Sequence, residues 1–502
     1  TNAADLPGPY DPNLWPTMLA RTSGTTRIMY IHNLTNAVLR RATLRNGYVD
    51  QAYGWGAGLY LFQAAGVEMS DCRIMTNRAY QAGATVEGAA GIYAWSSSAT
   101  LSNCLVQANA GTCAYNVGGR GSGLNLAGTG TWTIVDSIIA GNTMSPGSSG
   151  RGGGIYIDGV VCNLRNCVVA ANQAYIGAGI HVNAGTCTVG NATVVNNDGS
   201  GLYRGAGSLV VSNSIIWGNG DDVIGAVALA FCSVEDGDTN GINGCIIAAP
   251  LFERGLYLAT NSLCVDAGSD TAANLGLGGR TTRADGVADT AMADLGYHFA
   301  GGIDWSLAEL YVATNGLDTN AGTNAAAPFA TLNKALSVVG VGSHIHIESG
   351  TYSTNNGNSF PLGMDKWGLQ LLGTNRDATV IMASGVNSTD RRAIAVDNAL
   401  GDGRLAGLTV SGGRTENIYG AGLLVSRSML SMDDCVVSAN RGRYYVYNGT
   451  SSGGGIYSYY STLIVTNCVV KGNEAYQNQD NSACAGGGLY VQGGSCAIMG
   501  SV

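Results

Sequence analysis

Eight times along this chain a small residue is followed five positions later by asparagine. The pairs are Cys72 with Asn77, Cys104 with Asn109, Ser137 with Asn142, Cys167 with Asn172, Ala192 with Asn197, Ser214 with Asn219, Cys435 with Asn440 and Cys468 with Asn473. A second motif alternates with them: glycine, an aliphatic residue and usually tyrosine. It reads Gly58-Leu59-Tyr60, Gly91-Ile92-Tyr93, Gly154-Ile155-Tyr156, Gly201-Leu202-Tyr203, Gly455-Ile456-Tyr457 and Gly488-Leu489-Tyr490, with variants at Gly123-Leu124-Asn125 and Gly179-Ile180-His181. The aliphatic anchors at 59, 92, 124, 155, 180 and 202 lie 33, 32, 31, 25 and 22 residues apart. That spacing fits one solenoid coil per repeat, joined by loops of variable length.

Within a coil, Ile155-Tyr156-Ile157 alternates with the period of a strand, aliphatic side in and tyrosine out. Stacking such coils about 4.8 Å apart pairs each strand in parallel with its copy above and below, so like residues form columns. Parallel crossovers are overwhelmingly right-handed. The expected fold is all-β, a right-handed parallel β-helix.

Each column then has a structural meaning. Stacked side-chain amides carry donors and acceptors at once, so Asn77, Asn109, Asn142, Asn172, Asn197, Asn219, Asn440 and Asn473 are expected to form an asparagine ladder in a low-dielectric interior. The position five residues before admits only small side chains, which makes Cys72, Cys104, Cys167, Cys435 and Cys468 a thiol column. Cys72 stacks beside Cys104, Cys435 beside Cys468 and Cys162 beside Cys187. Strand spacing is within disulfide range, but parallel side chains disfavour the required torsion, so buried thiols are expected. Tyr60, Tyr93, Tyr156, Tyr203, Tyr457 and Tyr490 form an outward ladder. Ring stacking explains it, and a glycan-facing surface is the functional alternative.

Composition narrows the function. The 502 residues include 76 glycines, 45% hydrophobic and only 12% charged residues, which gives frequent turns and ample core. A net charge of −9 without a basic cluster argues against nucleic acid. No apolar run reaches the roughly 18 residues of a membrane span. Thirteen cysteines without a CxxC pair argue against zinc.

Catalytic constellations are missing from the pattern. Polysaccharide lyases and hydrolases on such scaffolds need clustered acids with a base, or paired acids at hydrolase separation. The recurring acids Asp71, Asp136 and Asp434 share a column with Asn103, Asn166 and Asn467 and read as turn residues. The adjacent pairs Asp221-Asp222 and Asp433-Asp434 point to opposite faces of a strand. His344 and His346 share the outer face of a strand. The loop Asp236-Gly237-Asp238-Thr239-Asn240-Gly241 matches the first half of a calcium loop, with Ile247 where the closing Glu belongs, so Asp236, Asp238 and Asn240 are candidate Ca²⁺ ligands.

From about Asp221 the repeat fades. Pro250-Leu251-Phe252, Leu263-Cys264-Val265-Asp266-Ala267-Gly268 and Asp294-Leu295-Gly296-Tyr297 resemble the closing segment of large secreted bacterial right-handed β-helix repeat proteins. Leu263 and His298 stand where that family usually has Pro and Glu. Tyr311 through Pro328-Phe329 resembles the opening of the same family, with a capping helix over Thr331–Val339 and a first coil ending at Gly350-Thr351-Tyr352. The Gly-Ile and aliphatic-x-x-Asn motifs are also similar to repeats of polymorphic outer-membrane proteins, with Val169, Ile216 and Val470 at the usual phenylalanine site. The resemblance implies an extracellular or cell-surface location.

Leu39–Gly47 aligns with Leu405–Gly413, and Gly58 with Gly422, so the chain reads as two tandem β-helices, each incomplete here. Residues 1–245 form the C-terminal part of the first, 246–309 a closing segment and linker, and 310–502 the cap and first coils of the second. The expected function is a non-enzymatic structural or adhesive module of a fibre or long stalk, with copies of itself stacked head to tail as partners. The alternatives are a polysaccharide lyase or hydrolase, or an extracellular glycan-binding β-helix. A cleft with converging Asp and Arg would favour the enzyme.

Overall fold

A computed structural model describes residues 17–50, 55–81, 88–113, 119–144, 150–237, 239–300, 309–340, 342–383, 391–397, 399, 401–416, 419–444, 451–477 and 484–502. It is a right-handed parallel β-helix. One coil strings together Leu59–Phe62, Val67–Ser70, Arg73–Met75 and Arg78–Gln81, and the next Ile92–Trp95, Ala99–Ser102, Leu105–Gln107 and Ala110–Cys113. Each strand pairs in parallel with its copy: Leu59 with Ile92, Leu61 with Ala94, Met69 with Leu101, Ile74 with Val106. These apolar columns are buried and continue through both halves of the chain.

The coils turn at two left-handed corners five residues apart. Asp71, Asn103, Asp136, Asn166, Asp434 and Asn467 take φ between +49° and +55°, conformations that Asn and Asp tolerate through local hydrogen bonding. The small residue follows directly. Cys72 Sγ lies 3.3 Å from the carbonyls of Leu39 and Ser70, and Cys167 Sγ lies 3.3 and 3.4 Å from those of Ile134 and Arg165. Ser137 makes the same contact at 2.7 Å. A larger side chain would strike the coil before it.

Directly after the second corner runs the ladder. Asn77 Nδ2 donates to Asn109 Oδ1 at 2.9 Å, Asn109 to Asn142 at 2.9 Å, Asn142 to Asn172 at 2.9 Å, Asn172 to Asn197 at 3.0 Å and Asn197 to Asn219 at 2.8 Å. In the second half Asn440 donates to Asn473 at 2.9 Å. Each Oδ1 also accepts the backbone N–H of the asparagine before it, and each Nδ2 also donates to a carbonyl of the preceding coil, as Asn142 does to Val106 O at 2.9 Å. Gly47 and Gly413 precede the two ladders identically, donating N–H to Asn77 Oδ1 at 2.8 Å and Asn440 Oδ1 at 2.9 Å.

The chain divides into two compact units: 1–250 with 261–282 and 288–300, and 251–260 with 283–287 and 301–502. In the second unit the helix Leu332–Val338 is capped by Thr331, whose Oγ1 accepts Lys334 N–H at 3.1 Å, while Asp318 accepts Thr331 N–H at 2.9 Å.

Replacing Asn142 by Ala orphans two buried donors of Asn109 and the carbonyl of Val106, and is expected to lower stability by about 3 kcal/mol. Asn103→Ala, at an exposed left-handed corner, should cost about 1 kcal/mol. Urea unfolding of the two variants checks this. Equal losses would contradict an interior ladder.

Candidate functional site

The tyrosine column does not face solvent. Tyr60, Tyr93, Tyr156 and Tyr457 are buried, and Tyr203 and Tyr490 are partly covered, so the rings point out of the coil but lie under cover, which does not suit the glycan-facing alternative. The cover is the chain itself. Gly56, Gly152, Gly177, Gly453 and Gly486 each stand four residues before the column residue, with φ between +58° and +66°. A Cβ on Gly152 would lie 2.7 Å from Tyr156 Cβ, and one on Gly177 2.7 Å from His181 Cβ. The backbone thus folds back directly onto the rings, which only glycine allows. Trp55 and Ala89 close over Tyr60 and Tyr93.

Beneath this cover the rings stack. Tyr156 to His181 is 5.0 Å and His181 to Tyr203 is 4.5 Å between centroids; Tyr457 to Tyr490 is 5.6 Å. Arg27 lies 4.9 Å from the Tyr60 centroid and Arg120 5.2 Å from that of Tyr156. Burial pushes the Tyr156 hydroxyl up to about 12, and it pushes the His181 imidazole down to about 3 with help from nearby Arg151 and Arg120.

The recessed surface lies on another flank, along the left-handed corners. One depression of about 520 Å³ is lined by Arg40, Arg41, Glu68, Ser70, Asp71, Thr100 and Ser102. A second of about 440 Å³ shares Arg41 and Asp71 and adds Arg73, Asn103, Asp136 and Tyr297. Both are open. Their acids are engaged: Arg40–Glu68 at 3.7 Å, Arg41–Asp71 at 4.0 Å, Arg280–Asp136 at 2.9 Å, and Asn103 Nδ2 donates to Asp71 Oδ1 at 2.7 Å. Arg73 has no ion-pair partner among the described residues.

The closing segment explains where this groove stops. His298 N–H donates to Asn166 Oδ1 at 2.7 Å, Asn166 Nδ2 to His298 O at 2.8 Å, Tyr297 N–H to Thr193 Oγ1 at 3.0 Å and Ser269 N–H to Asn213 Oδ1 at 2.8 Å. It therefore lies over the later corners and leaves those of Arg41, Asp71 and Asn103 open, with Tyr297 at the boundary. Arginines 40, 41 and 73 do not recur from coil to coil, so repeat reading passed over them.

The remaining expected groups fall elsewhere. Asp236 Oδ2 accepts Asp222 N–H at 3.1 Å, Asn240 lies in a turn, and Asp238 lies outside the described residues. Asp222, passed over as half of an acidic pair, ends the first ladder: its Oδ1 accepts Asn219 Nδ2 at 2.9 Å and its Oδ2 accepts Glu235 N–H at 2.7 Å. Burial pushes its carboxyl up to about 6. Asp266, Asp289 and Asp294 bring ligand oxygens within 4.8 Å of one another, a set able to hold a cation; Asp289 bonds His298 Nε2 at 2.9 Å, and Asp294 accepts Asp266 N–H at 2.7 Å. His344 and His346 share a strand face as read, joined by Glu309 at 3.1 and 2.7 Å. The loops around 78–90, 110–122, 143–151 and 441–452 fall partly outside the described residues. Among the described residues no helix is long and apolar enough to cross a membrane.

Coils, ladder and closing segment define a parallel β-helix repeat protein. Residues 314–479, one third of the chain, match a family described as a protein of unknown function (DUF1565). No curated protein matches the chain. Among solved structures, the PL6 family alginate lyase AlyGC is 10% identical over 91% of this chain and 87% of its own, with TM-score 0.25. An arginine-to-alanine mutant of that enzyme is 12% identical over 93% and 89%, with TM-score 0.24.

His181 is neutral in the fold and its pKa is depressed, so its contribution to stability is complete above the ordinary value of 6.5 and is lost as pH falls from there through about 3. His181→Tyr, the residue of neighbouring coils, should remove that loss, on the order of 3 kcal/mol by about pH 4. Melting temperatures of both proteins across that range check it. Parallel curves would contradict a buried neutral imidazole.

Proposed function

We propose that this chain is a structural, adhesive module of an extracellular or cell-surface protein, which holds polysaccharide in the groove from Arg40 to Tyr297 and does no chemistry on it. The observation that carries this reading is the state of the groove's acids. Glu68, Asp71 and Asp136 each face an arginine, and Asp71 also takes an asparagine amide. These acids already have guanidinium or amide partners, and alternating guanidinium, hydroxyl and amide groups in a shallow open channel suit the hydroxyls and carboxylates of a sugar chain. The location rests on the resemblance of residues 250–297 to secreted β-helix repeat proteins. Copies stacked head to tail belong to the same reading, because a parallel stack is extended by any coil added in register.

A lyase is the second reading. Arg73 lines the same depression as Asp71 and has no ion-pair partner among the described residues, and a guanidinium there could neutralise a uronate carboxylate during elimination.

Affinity electrophoresis through acidic and neutral polysaccharides separates these readings. Retardation should appear and fall at least about tenfold in Arg41→Ala and Arg73→Ala with unchanged melting, as expected for charge-assisted contacts worth about 1.5–3 kcal/mol each. No retardation on any polysaccharide would contradict a binding groove, and release of unsaturated sugar ends would replace the structural reading by the lyase.

A further inference from the structure

The outer face of the second unit's first coils carries two columns that do not repeat. Glu309 pairs in register with His344 and then Gln370, and Tyr311 with His346 and then Leu372. Three of these side chains converge. The strand Glu309–Val312 sets a carboxylate directly opposite the strand His344–Ile347, whose two imidazoles leave one face about 6.6 Å apart. His344 Nδ1 lies 3.1 Å from Glu309 Oε1, and His346 Nε2 lies 2.7 Å from Glu309 Oε2. The carboxylate therefore stands between two ring nitrogens and within reach of each.

Donor atoms about 2.0–2.2 Å from one metal ion lie roughly 3–3.4 Å from each other, so both nitrogen–oxygen separations are close to a coordination edge. Two imidazoles and a carboxylate suit a borderline divalent ion such as Zn²⁺. The surroundings support such a site. Arg254 Nη2 reaches Glu309 Oε1 at 3.0 Å and its Nη1 donates to Gly342 O at 3.1 Å, so Oε1 is held from outside and Oε2 is left to the imidazoles. Tyr311 stacks on His346 at 4.8 Å between centroids, which sets the plane of the ring and lets it turn within that plane. The His346 side chain is 36% exposed, so an ion reaches it from solvent. Glu309 and Asp402 against Arg254 leave the cluster one negative charge when the rings are neutral. His344 Nε2, meanwhile, is buried without a hydrogen-bond partner. While Nδ1–H faces Glu309, Nε2 is an unpaired acceptor; with a metal on Nδ1 the ring proton sits on Nε2, where the charge of Asp402 favours it.

We propose that His344 Nδ1, His346 Nε2 and Glu309 Oε2 bind a divalent transition-metal ion. The ion replaces the two ring N–H groups that face Glu309, and each neutral ring carries its proton on the other nitrogen. Three protein ligands leave a further position to water, or to a hydroxyl or carboxylate of a bound partner. The ion pins the strand Glu309–Val312 to the strand His344–Ile347 and adds to the parallel pairing that joins them. No other pair of coils has this set, because the next coil offers Gln370 and Leu372 at the positions of His344 and His346.

The full chain, stripped with a chelator, is titrated with Zn²⁺ by calorimetry and with Co²⁺ while its visible absorption is followed. Zn²⁺ affinity should fall at least about tenfold in His346→Ala and in Glu309→Gln, each of which melts like the wild type when metal-free. Zn²⁺ should raise the melting temperature of the wild type and leave that of His346→Ala unchanged. Co²⁺ should show the absorption of nitrogen and oxygen ligands without a thiolate band, which separates this site from the cysteines. No heat with Zn²⁺, equal affinity in wild type and both variants, or a thiolate band with Co²⁺ would overturn the proposal.

Discussion

Everything in this molecule depends on parallel pairing of each strand with its copy in the next coil. Register makes position i of one coil the neighbour of the same position in the next, so any residue type that can bond or stack with itself is favoured in every coil. Asparagine does this best in a dry interior, because one amide donates to the next while its oxygen accepts in turn. The ladder from Asn77 to Asn219 satisfies the corner backbone of each coil as well as its own side chains. It ends on a carboxylate, Asp222, whose oxygens accept the last amide and a backbone N–H of the following turn.

The same register explains which features were legible in the sequence. Columns repeat, so the asparagines, the small residues, the left-handed Asx corners and the inward aliphatics announce themselves by spacing. The capping helix was legible only through the family resemblance of residues 311–352, and Thr331 supplies its N-cap. Cover was not. Tyr156 alternates with Ile155 and Ile157 and reads as outward, which it is. Its burial depends on Gly152 folding the backbone onto its ring, a tertiary event whose trace is a glycine four residues before the aromatic. Glu309 was equally hidden, because its partners His344 and His346 are 35 and 37 residues away and belong to no repeat.

The proposed binding groove lies where the repetition fails. The arginines at 40, 41 and 73 break the column pattern, and they line the part of the corner track that the closing segment leaves open. In a scaffold whose repeating positions are committed to holding coils together, residues that differ from their column neighbours are the ones available for binding and chemistry.

A double-mutant cycle on Asn142 and Asn172 tests the ladder most directly. If each amide serves mainly as its neighbour's partner, replacing both by Ala must cost less than the sum of the single replacements, with a coupling of about 1 kcal/mol or more. Strictly additive losses would mean that the asparagines act one by one on their corner backbones, and that the continuous ladder does not hold the coils together.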